Sequence, residues 1–298
     1  MNIKSFFLIL CVFCFEQITA QVDSLVLKNE LLELSTAGRM KLESDTNYFQ
    51  KQNGDVIRIA DAFAYALTAP IRWEGEDWLN AGIALGGTAL LSLADEPMRD
   101  LMQRNKSKFA DHLTEFGYHN GKPYAAYGLA GGFYAVGWLI DDEWTKETAV
   151  ILTAAYATSG VLQTALKKII GRARPTEGLG NYEFQPFRNH AGFSSFPSGH
   201  TQIGFVTAMV LAERVDQTWL KAVFYTGAAV TMASRMYENA HWVTDVTFGA
   251  LLGYFCTKTV IKRLELNKYG KQFSNFGKNK IQWQLTPSLN GIGLIGTF

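Results

Sequence analysis

From Asp55 onward the chain is a succession of apolar, Gly- and Ala-rich segments whose hydrophobic residues recur at helical spacing. Val56, Ile57, Ile59, Ala60, Phe63, Ala64 and Leu67 open the series, and Pro70 stops that first run. Further helical stretches are expected at about 77–94, 124–140, 147–170, 200–214, 218–234 and 242–262. The charged 95–123 stretch, the acidic turn Asp141-Asp142-Glu143, the long 171–197 loop and two short turns read as the connections between them. No period-two alternation precedes the C-terminus and no repeat of 20–50 residues is present, so an all-α bundle of about six core helices is expected.

The flanks differ in character. Residues 1–20 read as a signal peptide: Lys4 is the basic start, Ser5 to Phe15 the apolar stretch, and Ile18-Thr19-Ala20 ends on the small residue that cleavage requires. Residues 21–54 form a polar leader with one short helix expected at 24–35, and 55–262 hold the helical domain. Within 263–298, Gln282 to Thr286 and Ile292 to Ile295 flank Asn290-Gly291 in the pattern of a hairpin. If the signal is cleaved, Cys256 is the remaining cysteine, which excludes an internal disulfide. It lies in an apolar run and reads as a core residue.

Charge is balanced, 28 Lys+Arg against 27 Asp+Glu, which gives no reason to expect nucleic acid as a partner. A content of 48% apolar residues is ample for a core and leaves membrane contact open. The apolar runs are mostly shorter than the roughly 20 residues of a full span, which favours a soluble or peripheral bundle over an integral one. An exported protein of the periplasm or cell envelope is expected on either reading, with oligomeric state undetermined.

Three short segments carry the chemistry. Helix 147–170 runs into Lys167-Lys168-Ile169-Ile170-Gly171-Arg172-Ala173-Arg174-Pro175. Pro175 biases Arg174 to an extended conformation, so the helix should end near Gly171 and let Arg174 turn back toward whatever Lys167 faces. Arg offers a planar fork for two phosphate oxygens and Lys a point charge. In Phe196-Pro197-Ser198-Gly199-His200-Thr201, Pro197 ends one conformation and Ser198 is suited to cap the next helix. His200 then falls in a first turn whose unpaired N–H groups attract anions. The third segment is Ser234-Arg235-Met236-Tyr237-Glu238-Asn239-Ala240-His241-Trp242-Val243-Thr244-Asp245. Its His241 and Asp245 are spaced i, i+4, as neighbours on one helix face, with Arg235 on the loop before them. A carboxylate on one imidazole nitrogen fixes the tautomer and leaves the other free to attack.

In this order and spacing the three segments resemble the signature of the type 2 phosphatidic acid phosphatase and vanadium haloperoxidase superfamily, over about residues 77–262. The resemblance implies a helical fold and a phosphatase working through a phosphohistidine. It implies His241 as nucleophile, Asp245 as its orienting partner and His200 as the acid for the leaving group. Lys167, Arg174 and Arg235 would hold the phosphate oxygens, with Ser198 and Gly199 adding a hydroxyl and a backbone N–H.

No metal is implied, because fixed cations supply the charge stabilisation. Vanadate enters as a cofactor only on the alternative haloperoxidase reading. The scheme needs a neutral His241 beside a protonated His200, hence a bell-shaped pH dependence. Substrates of the phosphatidate, isoprenyl pyrophosphate or lipid A type are expected ahead of small soluble esters, given Trp73, Trp78, Trp138 and Trp144 on the apolar flanks. A non-catalytic envelope protein is disfavoured by the intact motifs. His112 and His119 should face solvent, and Tyr182, Phe184, Phe187 and Phe193 could form a pocket rim.

Overall fold

The computed structural model describes residues 54–276, 282–288 and 291–297. The expected signal peptide, the leader and its helix at 24–35 lie outside the described residues.

Helix α1 (Asp55–Leu67) is followed by α2 (Gly75–Leu91), α3 (Asp95–Arg104), α4 (Lys108–Asn120) and α5 (Pro123–Leu139). Then come α6 (Glu143–Ile170), α7 (Gly199–Glu213), α8 (Thr218–Tyr237) and α9 (Val243–Phe276). Strands β1 (Gln282–Ser288) and β2 (Gly291–Thr297) pair antiparallel, with Leu285 opposite Leu294. The all-α class and the hairpin-like tail are therefore as the sequence leads one to expect.

Two boundaries differ from expectation. The 95–123 connection is itself helical: it folds into α3 and α4. Its polar composition reflects amphipathic helices rather than a loop, with Met98 and Met102 buried and Asp100 and Arg104 exposed. Likewise α9 does not stop near 262. Arg263 makes a two-bonded pair with Asp61 of α1 (2.8 Å each), so charged residues continue the helix instead of ending it.

The core is centred on α6. Val150, Leu152, Ala154, Ala155 and Tyr156 are buried against Ala62 and Ala66 of α1, Ala126 and Ala130 of α5, Val206 and Val210 of α7, and Val260 of α9. Each full-size side chain buried this way contributes roughly 1.5–3 kcal/mol. Alanines on α1 and α5 let those helices approach α6 closely. A second cluster, Met98, Met102, Met232, Met236, Val243, Val246 and Ala250, joins α3, α8 and α9. Between the two clusters lies the site.

Helix α6 begins on Asp142, whose carboxylate accepts from the Thr145 N–H at 2.8 Å, and ends at Gly171 in the left-handed conformation (φ 59°). A Cβ at Gly171 would lie 2.0 Å from the Gln185 carbonyl oxygen, so any other residue there would displace the following loop. One helix among the described residues, α6, is long and apolar enough to cross a membrane, and 56% of that window is buried within the protein. Apolar side chains are nonetheless exposed on the outer helices, among them Trp78, Leu79 and Ile83 on α2 and Val136, Trp138 and Leu139 on α5.

Candidate active site

All three sequence segments meet at the N-terminal ends of α7 and α9. After Gly171 the chain doubles back as expected. Lys167 Nζ donates to the Ser194 carbonyl, and Arg174 Nη2 lies 3.4 Å from the Ser194 hydroxyl, so both cations converge on one spot. Ser198 occupies the position just before α7 but does not cap it with its side chain, and its oxygen accepts from the Thr201 hydroxyl at 3.1 Å. The Ser198 N–H donates to the Asp245 carbonyl at 3.0 Å, which ties α7 to α9. His200 sits in the first turn of α7, and Gly199 opens that helix.

Two local placements correct the sequence reading. His241 does not share a helical face with Asp245: α9 starts at Val243, and His241 lies in the turn before it. The cause is Asp245 itself, whose carboxylate accepts the Trp242 N–H at 2.8 Å and closes the helix start beneath that turn. The two residues still approach, with His241 Nδ1 3.5 Å from Asp245 Oδ2. Arg235 belongs to the last turn of α8 rather than to a loop, because that helix runs three residues further than the apolar pattern indicates.

Beneath the site is a network that the motifs do not advertise. Arg172 is buried, and its guanidinium donates to Asp95 (2.6 Å), Asp245 (2.8 Å), the Thr244 hydroxyl (2.6 Å) and the Asn181 carbonyl (2.9 and 2.7 Å). Asp95, also buried, accepts from the Thr244 N–H at 3.0 Å and its hydroxyl at 2.9 Å. Asp245 takes a further bond from the Ser195 hydroxyl at 2.5 Å. Arg172 was legible only as another basic residue between Lys167 and Arg174. Asp95 carries no sequence signal beyond being a carboxylate at the end of an apolar run.

Electrostatics divide the groups. Burial pushes the Asp245 carboxyl up, but the nearby His241, Arg172 and Ser195 more than offset this and hold it below the usual range. Burial lowers the Lys167 ammonium to about 7, with Arg174 adding to the effect, and lowers Arg174 as well. His241 is depressed to about 4, chiefly by burial, with Asp245 opposing and Lys167 and Arg174 contributing. Burial, then Arg235 and His241, take His200 to about 3. Both imidazoles are thus held neutral near pH 7 amid crowded cations.

Arg235 is buried and bonds to Glu238, and its guanidinium carbon lies 4.8 Å from the Tyr118 ring centre. Among the described residues four buried side-chain polar atoms lack a hydrogen-bond partner. Three belong here: Arg174 Nε, His200 Nε2 and His241 Nδ1.

A groove of about 780 Å³ leads away from Gly199 and His200 between α5, α6 and α7. Ala126, Tyr127, Tyr156, Ala157, Gly160 and Ile203 make its walls mostly apolar. Of the expected rim, Tyr182, Phe184 and Phe187 are exposed, whereas Phe193 is buried and packs under Arg188. His112 and His119 are exposed as expected, and His190 accepts from the Gly192 N–H. Cys256 is buried, as a core residue should be, and burial raises its thiol to about 12. No group of three or more His, Cys, Asp or Glu suited to a metal ion occurs among the described residues.

An all-α fold thus brings converging cations and a His–Asp pair together at a helix N-terminus. Residues 148–268 match the family model of the PAP2 superfamily. The lipid A 1-phosphatase of Rhizobium etli is 38% identical over 109 residues, covering 35% of this chain and 45% of that protein. The corresponding enzyme of Rhizobium johnstonii is 36% identical over 109 residues, 35% of this chain and 43% of that protein. The matched stretch is thus less than half the length of these curated relatives. Two solved structures are similar. The crystal structure of Aquifex aeolicus LpxE shares 25% identity at a TM-score of 0.46, covering 56% of this chain and 94% of that one. That of a transmembrane PAP2-type phosphatidylglycerolphosphate phosphatase from Bacillus subtilis shares 22% at 0.48, covering 66% and 94%.

Proposed function

We propose that this protein is a metal-independent phosphatase of the cell envelope that removes phosphate from lipid phosphomonoesters. The observation that carries the reading is the cradle of cations. Lys167 and Arg174 are crowded, desolvated and held below their ordinary pKa, an arrangement that a phosphate dianion relieves. His241 Nδ1 faces Asp245, which leaves Nε2 to attack phosphorus. The P–O bond to the lipid breaks as the N–P bond forms, and His200 gives its proton to the departing oxygen. Water then attacks the phosphohistidine while His200 takes up its proton, and inorganic phosphate leaves with His241 neutral again. The bound dianion offsets the cations that depress His200, so the acid gains its proton as the substrate binds. Ser198 and Gly199 are assigned to the same phosphate, beside the α7 N-terminus.

The lipid preference, phosphatidate, isoprenyl pyrophosphate or lipid A in type, rests on the groove and on the exposed apolar faces of α2 and α5, which suit contact with a membrane. It also accords with the lipid A phosphatases among the relatives.

Gly160 provides the test, because nothing lies within 4 Å of a Cβ placed there. A Gly160→Leu side chain would project into the groove without strain and with better helix propensity. Phosphate release is measured in EDTA from a long-chain lipid phosphate in micelles and from a small soluble aryl phosphate. Displacing two or three methylenes is worth about 2 kcal/mol, so kcat/KM for the lipid should fall about 30-fold while the soluble ester is unaffected. Wild-type preference for the soluble ester, or equal effects of the variant on both, would remove the lipid reading. Loss of all turnover in EDTA would remove metal independence.

A further inference from the structure

We propose that Tyr118 is the positioning residue for the acid His200. The inference rests on the phosphatase reading. Tyr118 lies on α4, outside the three motifs and outside residues 148–268. Its ring is stacked on the His200 imidazole, with centroids 5.2 Å apart and planes 24° from parallel. That separation is typical of offset stacking. The same ring carries two cations, Arg235 at 4.8 Å and Lys122 at 4.0 Å from its centre.

The backbone is cut to fit this contact. A Cβ on Gly121 would lie 2.6 Å from His200 Cβ, and one on Gly117 would lie 2.7 Å from the Val230 carbonyl oxygen of α8. Larger residues at either place would push α4, and Tyr118 with it, away from the site.

Stacking suits an acid better than a hydrogen bond does. His200 Nε2 is buried and has no hydrogen-bond partner. A hydrogen bond would commit that nitrogen, whereas a ring face fixes the imidazole plane and leaves the nitrogen free to carry a proton to the leaving oxygen. An electron-rich face also favours the imidazolium once it forms. Because Arg235 lies against the same ring, the acid and a cation assigned to the phosphate are held in one frame. Tyr118 acts through His200 and need not touch substrate.

The test varies how much the reaction needs an acid. An alkyl phosphate expels a strongly basic alkoxide and depends on proton transfer, while p-nitrophenyl phosphate expels a stable phenolate and does not. General acid catalysis contributes about 10²–10⁴-fold. Tyr118→Leu should therefore lose about tenfold or more in kcat on the alkyl ester and far less on the nitrophenyl ester. Tyr118→Phe should recover most of the loss, since the stack needs the ring and not the hydroxyl. Tyr118→Met, which keeps bulk without a π face, should behave like Tyr118→Leu and serves if that protein does not fold. Equal losses on both esters, or no loss on either, would overturn the role while leaving the phosphatase reading intact. Wild-type protein that hydrolyses neither ester would remove both.

Discussion

Two arginines separated by one residue, Arg172 and Arg174, live in opposite environments. Arg172 is buried and saturated, with Asp95, Asp245, Thr244 and Asn181 accepting its protons. Arg174 has one long bond to Ser194 and a buried Nε with no partner. A buried charge that is fully paired holds structure in place; one left short of partners is waiting for a ligand. The same contrast runs through the two carboxylates and two histidines nearby. Asp95 and Asp245 are filled with hydrogen bonds, whereas His200 keeps its buried Nε2 free and His241 turns Nδ1 toward Asp245 at 3.5 Å.

The contrast breaks most visibly if each arginine is replaced by methionine. Arg174→Met should lower kcat/KM about 10²–10³-fold, the loss typical of removing one preorganised donor from a developing oxyanion, with stability unchanged or slightly raised. Arg172→Met leaves Asp95 and Asp245 as buried uncompensated charges and should cost about 3–5 kcal/mol in denaturant unfolding. If Arg174→Met unfolds the protein while Arg172→Met only reduces activity, the assignment of holding and receiving sides is reversed.

Smaller effects appear with pH. Both imidazoles titrate well below the ordinary 6.5 when folded, so the unfolded chain binds more protons between that value and about 4 for His241 or about 3 for His200. Stability therefore rises with pH through this window and is lost on acidification, by about 2–3 kcal/mol for His241 alone. A melting series from pH 7 to 4 should show the decline, and His241→Ala should flatten part of it. A profile unchanged by that substitution would mean the imidazole is not desolvated as described. Activity adds a second reading of the same shifts. The alkaline limb of kcat should lie above that of kcat/KM, corrected for substrate ionisation, because the loaded site favours protonated His200 more than the empty one.

Much of this was legible in the chain itself. Apolar periodicity located the helices around α6, and the Gly171 to Pro175 stretch located the turn that brings Arg174 back toward Lys167. The three segments fell together as their order suggested. What escaped was set by tertiary contacts with no local pattern. Asp95 and Tyr118 sit in a stretch whose polar composition reads as a connection. It is helical because α3 and α4 bury methionines and small residues on one side only. The spacing of His241 and Asp245 fits a helix, yet Asp245 spends an oxygen on the Trp242 N–H and places His241 before the first turn. A side chain that caps its own helix is hard to distinguish in sequence from one lying along it.

The most direct measurement is to trap the phosphoryl group on the enzyme. Wild-type protein is mixed with radiolabelled substrate, quenched in alkali within the first turnover, digested and mapped by mass spectrometry. Label on the peptide carrying His241, absent from His241→Ala and longer-lived in His200→Gln, is the expected result. Full release of phosphate with no label at position 241, or with label on another residue, would contradict it.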